Sequence, residues 1–330
     1  MPFASLVGNE RIKMLLRRAV ADGRVGQGLI MAGPHGVGKR QFALALAQAL
    51  NCERPVEGDA CGKCVPCRRV ASGEHTDVET ISPDGQFIKI DQMRDMARQA
   101  QYRPYESRRR VYIIDDADRL REQAANSILK TLEEPPETTM IILVTSKPYT
   151  LLETIRSRCQ MLSFAPLSVP ELEAHLKANY KRPAEETRML ARLARGSLGR
   201  ALEIDLGQYK ERRKTMTELV ETLGLTRDSV RLMNAAEYLG RKLERDEFEV
   251  HLDVLMVLLS DIFHLKLGEP PESLTNSDAA ERLGRISEAV TLDEIMDWAG
   301  RVETVMQSLS RNVNRHLAME VMLLAAAGGQ

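Results

Sequence analysis

Two spacings of apolar residues share the first half of the chain, and only one of them continues into the second. Residues 9 to 21 set Ile12, Leu15, Leu16 and Ala19 three to four positions apart, which predicts an amphipathic helix. Gly28-Leu-Ile-Met-Ala-Gly33 is a short unbroken apolar run that reads as a buried strand, with a helix to follow from Gln41 to Leu50. Asp77 to Ser82 alternates like a strand, and Ile88 to Asp91 leads into a helix bearing Met93, Met96, Ala97 and Ala100, with Asp91 as its N-cap. Val111 to Ile114 and Thr139 to Ser146 are further buried strands. Between them a helix is predicted from Leu120 to Glu134, with Leu120, Ala124, Ile128 and Leu132 on its stripe and Pro135-Pro136 as its stop. A helix from Leu151 to Ser157 and a strand from Gln160 to Phe164 close this half.

From Pro166 the pattern is helical throughout. Ser168-Val-Pro-Glu171 is a capping box that opens one helix, and Gly196-Ser-Leu-Gly-Arg200 starts another. Gly207 to about Lys210 reads as a junction, and long amphipathic helices then run to Ala327, broken near Gly268-Glu-Pro-Pro271. The expected organisation is therefore an α/β domain over 1–166, a small helical domain over 167–206 and an all-helical domain over 207–330. At 330 residues the chain suits two or three domains.

Chemistry enters at the ends of the predicted strands. Strand, glycine loop and helix come in sequence at Gly33-Pro-His-Gly36-Val-Gly38-Lys39-Arg40, the context of a phosphate loop. The glycines let successive N–H groups turn toward one anion, Lys39 adds a point charge, and the helix N-terminus adds its dipole. Arg40 stands where a Ser or Thr hydroxyl would ligate Mg²⁺, so metal-assisted hydrolysis should suffer more than phosphate cradling. The alternative is a glycine-rich turn before a helix. Asp115 and Asp116 end the strand Val111–Ile114, where α/β folds hold their ligands. Asp115 would orient Mg²⁺ or its water and Asp116 would polarise an attacking water from one methylene further back than a glutamate; otherwise both merely cap the next helix. Thr145 and Ser146 end the next strand with hydroxyls suited to a γ-phosphate.

Cys52, Cys61, Cys64 and Cys67 offer four thiolates around a loop, Glu53 to Pro66, that has little apolar material of its own. Four sulfurs close a tetrahedral shell, which points to structural Zn²⁺ in place of a core; free thiols or a redox pair are the alternatives. His75 nearby reads as a surface histidine. Arg108-Arg-Arg110 is either a phosphate patch or a solvated lead-in to a strand. Cys159, at the edge of an apolar strand, reads as a packed cysteine.

Composition narrows the class. The chain is 43% hydrophobic and 28% charged, and Lys plus Arg (46) nearly equals Asp plus Glu (47), so no overall basic field holds nucleic acid. No apolar run is long enough to span a bilayer and the N-terminus lacks a signal-peptide pattern, so a cytoplasmic protein is expected.

The phosphate loop, the four-cysteine insert, Leu129-Lys-Thr-Leu-Glu-Glu-Pro-Pro136 and Ser157-Arg158-Cys159, in this order, resemble the bacterial clamp-loader subunits of the AAA+ class over roughly residues 5 to 206. Arg40 and Asp116 point away from the ATP-hydrolysing gamma/tau branch and toward the delta-prime branch. The resemblance implies an AAA+ core with a parallel sheet, a helical lid and a C-terminal collar. It also implies a pentameric ring with gamma/tau and delta subunits that opens a sliding clamp and sets it on primed DNA. Arg158 resembles the arginine finger that reaches a neighbour's ATP, with Arg156 as its rival on another helical face. Thr145 and Ser146 resemble the sensor 1 region. Arg200 ends a segment like sensor 2, one place later than in hydrolytic subunits. With Arg40 and Asp116 altered, the resemblance implies a degenerate site for ATP with Mg²⁺ in this chain, and an ATP-hydrolysing gamma/tau-like subunit is the alternative.

Overall fold

In the computed structural model, residues 1–309 and 313–328 are described. They divide into two compact units, Met1–Arg182 with Ala194–Glu203, and Pro183–Leu193 with the chain from Ile204 onward.

The first unit is built on a parallel sheet of β1 (Gly28–Ala32), β2 (Val78–Ile81), β3 (Arg110–Ile114), β4 (Thr139–Thr145) and β5 (Gln160–Ser163), in the order β2-β3-β4-β1-β5. Around it run α1 (Glu10–Ala21), α2 (Lys39–Asn51), α3 (Val65–Ser72), α4 (Ile90–Gln99), α5 (Glu122–Ser127), α6 (Leu129–Glu133) and α7 (Glu153–Arg156). Side chains alternate across a strand, and the two faces sort accordingly. Leu29, Met31, Val111, Ile113, Met140 and Ile142 join one core with Leu16 of α1, Phe42 and Leu46 of α2 and Val70 of α3. Ile30, Tyr112, Ile114, Ile141 and Leu143 join the other with Met93 and Met96 of α4 and Ile155 of α7. All of β4 is buried, as both-sided cover of a parallel sheet requires. The parallel direction brings the C-terminal ends of β1, β3 and β4 to one edge, so Gly33, Asp115 and Thr145 meet there.

Then come α8 (Val169–Asn179), α9 (Ala184–Leu193) and α10 (Leu198–Glu203). The capping box is formed: Ser168 Oγ accepts the Glu171 N–H, and the Glu171 carboxylate accepts the Ser168 N–H. The second unit holds α9 and the helices α11 (Leu206–Glu221), α12 (Ser229–Glu237), α13 (Arg245–Lys266), α14 (Ala280–Ala289), α15 (Leu292–Ser308) and α16 (Arg315–Ala326). No strand follows β5 among the described residues, and no helix among them is long and apolar enough to cross a membrane.

Several expectations are corrected. The helix over Leu120–Glu134 is two short helices, α5 and α6, separated at Ile128, whose φ of −100° and ψ of −7° interrupt the turn. The N-cap of α4 is Lys89, and Asp91 lies inside its first turn. Residues 207–210 are the first turn of α11, capped by Asp205, whose carboxylate accepts the N–H groups of Gly207 and Gln208. Leu15, expected on the buried stripe of α1, is 43% exposed, while Lys13 takes a buried place and donates to Leu6 O and Glu10. His75 is no surface residue. It is 4% exposed, with Nδ1 accepting the Asp77 N–H and Nε2 paired with Ser107 Oγ.

Candidate functional site

The loop after β1 turns through Gly36 (φ +75°) and Gly38 (φ +93°), left-handed geometry that other residues adopt only under strain, and Gly38 delivers the chain into α2. Lys39 opens that helix with its side chain folded back: Nζ donates to Gly33 O and Pro34 O, both at 2.7 Å. Burial pulls Lys39 below the ordinary lysine value, against the opposing pull of the Asp115, Asp116 and Asp118 carboxylates. The ammonium is thus held by its own loop.

Arg40 comes next, and its Nε lies 3.6 Å from Asp115 Oδ2. A guanidinium therefore stands against the carboxylate that would orient a metal. Burial pushes Asp115 above the ordinary aspartate value, and Arg40 works against that rise. Asp116 adopts left-handed geometry (φ +49°), with its N–H on Asp115 Oδ1 at 3.2 Å. Thr145 Oγ1 does not face an open site, for it donates to Asp118 Oδ1 at 2.7 Å, and Ser146 N–H reaches the same oxygen at 3.2 Å. Asp118, to which sequence reading gave no role, is the hub of this edge. Its signal was present as the third acid of Asp115-Asp116-Ala-Asp118.

The first turn of α10, with Ser197 just ahead of it, closes over the glycine loop. Gly199 N–H donates to Gly36 O at 3.0 Å, and a Cβ on Gly36 would fall 2.1 Å from Ser197 Oγ. Arg200 sits in this turn with its N–H on Ser197 Oγ at 3.1 Å. The structure thus gathers Gly33, Gly36, Gly38, Lys39, Arg40, Asp115, Asp116, Thr145 and Arg200 around one edge of the sheet.

Arg158 lies away from that edge, after α7. Its Nη2 is 2.6 Å from Glu133 Oε1, and its Nη1 donates to Thr154 O at 2.9 Å and Ser157 Oγ at 3.3 Å. Arg156 differs: its Nε is buried without a partner, and its guanidinium lies 5.7 Å from the Tyr149 ring. Of the two, Arg158 is the exposed one. Cys159 is half-buried, and burial pushes its thiol up to about 11, the direction expected of a packed cysteine.

The sulfurs of Cys52, Cys61, Cys64 and Cys67 all lie within 4.8 Å of one another, and Cys52 and Cys64 are 3.9 Å apart. A tetrahedral metal with bonds of about 2.3 Å needs sulfurs about 3.8 Å apart, so the donor set fits one ion. Backbone N–H groups of Lys63 and Cys64 point at Cys61 Sγ and pull that thiol down to about 6, which favours the ligating form. Cys52 follows the last residue of α2, and Cys64 precedes the first of α3, so the knot pins two helix ends. Around it Gln48 donates to Cys67 O at 2.6 Å, and Asp59 accepts the N–H groups of Phe3 and Ala4.

Residues 8–168 match the family described as DNA polymerase III, delta subunit, and residues 207–327 match DNA polymerase III, delta subunit, C terminal. DNA polymerase III subunit tau of Escherichia coli is 36% identical over 207 residues, 61% of this chain and 32% of that one. Subunit delta' of Pseudomonas aeruginosa is 34% identical over 197 residues, 59% of this chain and 60% of that one. A DNA polymerase III gamma subunit-related protein of Thermotoga maritima is similar in structure, with a TM-score of 0.47 at 22% identity over 95% of this chain and 98% of its own. Subunit delta' of Bacillus subtilis is 30% identical over 322 residues, 97% of this chain and 96% of that one. Similarity carried along nearly the full length of both chains, through the sheet unit and the helical unit alike, makes this chain a member of the DNA polymerase III delta-prime family of clamp-loader subunits.

Proposed function

We propose that this chain serves a clamp loader without hydrolysing ATP of its own, and lends Arg158 to the nucleotide site of a neighbouring subunit. The observation that carries the first half is the Arg40–Asp115 pair at 3.6 Å. A fixed positive charge occupies the carboxylate on which Mg²⁺ would depend, and the hydroxyl that would complete the metal shell is missing from position 40. The folded-back Lys39, the Thr145 hydroxyl committed to Asp118 and the turn over Gly36 all favour the same reading. Arg158 is exposed and carries the charge to offset a transferring phosphoryl group from outside, an effect that reaches about 10³–10⁵ in other systems.

Its partners in this reading are gamma/tau and delta subunits in a pentameric cytoplasmic ring. The ring opens the sliding clamp and sets it on primed DNA, while the C-terminal helical unit serves as the collar that joins subunits. The four cysteines hold one structural Zn²⁺.

The test has two arms. The purified chain at saturating Mg-ATP is expected to show negligible turnover, and Arg158→Ala in the reconstituted loader is expected to slow clamp loading. Normal loading by that variant would sink the role in trans. Similarity to tau over 61% of the chain favours a second reading, a gamma/tau-like hydrolytic subunit, and vigorous turnover by the lone chain would establish it.

A further inference from the structure

Glu133 ends α6, α7 packs beside α6, and Arg158 follows two residues after α7. The Glu133–Arg158 pair, at 2.6 Å, joins side chains that are 47% and 34% exposed. Pairs so open to water add little to stability, so holding the fold together does not account for this one. Its position does. The guanidinium has five N–H groups, four of them on its terminal nitrogens. One of those four meets Glu133 and the other nitrogen serves Thr154 O and Ser157 Oγ. A phosphate taken in two-pronged fashion needs a pair of N–H groups side by side, and either such pair on a guanidinium includes a hydrogen of Nη2, the nitrogen that Glu133 holds, so the carboxylate and the phosphate compete for it.

We propose that Glu133 is a positioning residue that parks Arg158 on its own subunit and yields it only to a triphosphate brought close by a neighbour. This rests on the reading of Arg158 as a group acting in trans. The carboxylate carries one negative charge, whereas the γ-phosphate of ATP carries more and offers several acceptor oxygens. Exchange is therefore favourable when the subunits close and unfavourable when they are apart. The weakness of an exposed pair is what makes the device reversible: it biases the resting position without trapping the arginine. The contact thus keeps the neighbour's hydrolysis slow until the ring is closed.

The experiment uses the full-length chain in a loader reconstituted with ATP-hydrolysing tau/gamma and delta subunits, assayed for ATP turnover without clamp or DNA. Glu133→Gln is expected to raise kcat about two- to five-fold, the change in population that an exposed ion pair can impose, and to leave KM for ATP unchanged. Glu133→Asp, which keeps the charge, is expected to return kcat toward the unmodified value. Glu133→Gln combined with Arg158→Ala should match Arg158→Ala alone, because with the arginine gone there is nothing to release. Matched melting curves guard against misfolding. If Arg158→Ala lowers turnover while Glu133→Gln leaves kcat at or below the unmodified rate, or moves KM alone, the parking role is overturned. If Arg158→Ala leaves turnover unchanged, the trans role itself fails and the parking role falls with it.

Discussion

Asp77 shows how much one buried side chain can organise. It is 1% exposed, yet it accepts the N–H groups of Tyr105, Glu106 and Ser107 and pairs with Arg110 Nη2 at 3.1 Å. Burial alone would push its carboxyl up, but these donors outweigh it and hold Asp77 below the ordinary aspartate value. A depressed folded value means that the contribution is present above the unfolded value, about 3.9, and is lost as pH falls through the lower folded value. Asp77→Asn is therefore expected to cost about 3–5 kcal/mol near neutral pH, as for a broken buried pair, and to remove part of the acid destabilisation below about pH 4. Denaturant melts of both proteins across that range check it; parallel curves would show that Asp77 contributes no acid sensitivity. Sequence reading passed over this residue and misjudged His75 for the same reason. Their partners Ser107 and Arg110 lie some thirty positions on, and no local pattern announces a loop that folds back on a strand. Arg110, by contrast, stood in a basic run with two possible readings, and its ion pair with Asp77 gives it a structural role.

Elements were legible where one force dominated. A continuous apolar run bounded by turn residues predicted β1 and β4, because a parallel strand buried on both faces admits little else. The Ser168 box predicted α8, because its hydrogen bonds close within four residues. The break at Ile128 was not legible: the helical period runs through it, and Ile128 is wholly buried where the two short helices meet the sheet, so packing overrides the period. The start of α11 was missed because Gly207 looks like a breaker, whereas Asp205 supplies a cap strong enough to start a helix through it. The cysteine knot is the element where sequence and geometry meet most directly, since spacing predicted four ligands and the fold brings four sulfurs within 4.8 Å. Elemental analysis of protein purified without added metal is expected to find one Zn²⁺ per chain. At free metal about 1,000 times Kd, binding contributes about 4 kcal/mol, so removing it with a chelator should lower Tm by roughly 8–16 °C for a unit of this size. Unchanged melting of metal-free protein would show that the knot holds by packing alone.

At the scale of the whole chain, the change of texture at Pro166 was legible, since no strand comes after β5 among the described residues, but the allegiance of the helices beyond it was not. Residues 167–206 read as one small helical domain because their period is continuous. In the structure α8 and α10 belong with the sheet, while α9 belongs with the C-terminal helices. Periodicity reports that a helix has an apolar face and says nothing about which core receives it. Polar contacts mark the allegiance of α9, since Arg192 Nη2 at its end donates to Glu272 O at 2.5 Å and Arg192 Nη1 donates to Leu274 O. Cooperative units exchange their amide hydrogens together, so the assignment can be read directly. Under mild denaturant the amides of Ala184–Leu193 are expected to exchange with those of α11 and α13, at a free energy distinct from that of β1 and β4. Arg192→Ala should loosen α9 and leave the sheet amides unaffected. Exchange of α9 in step with α8 and the sheet would instead make 167–206 one cooperative piece, the single helical domain that the continuous period suggests.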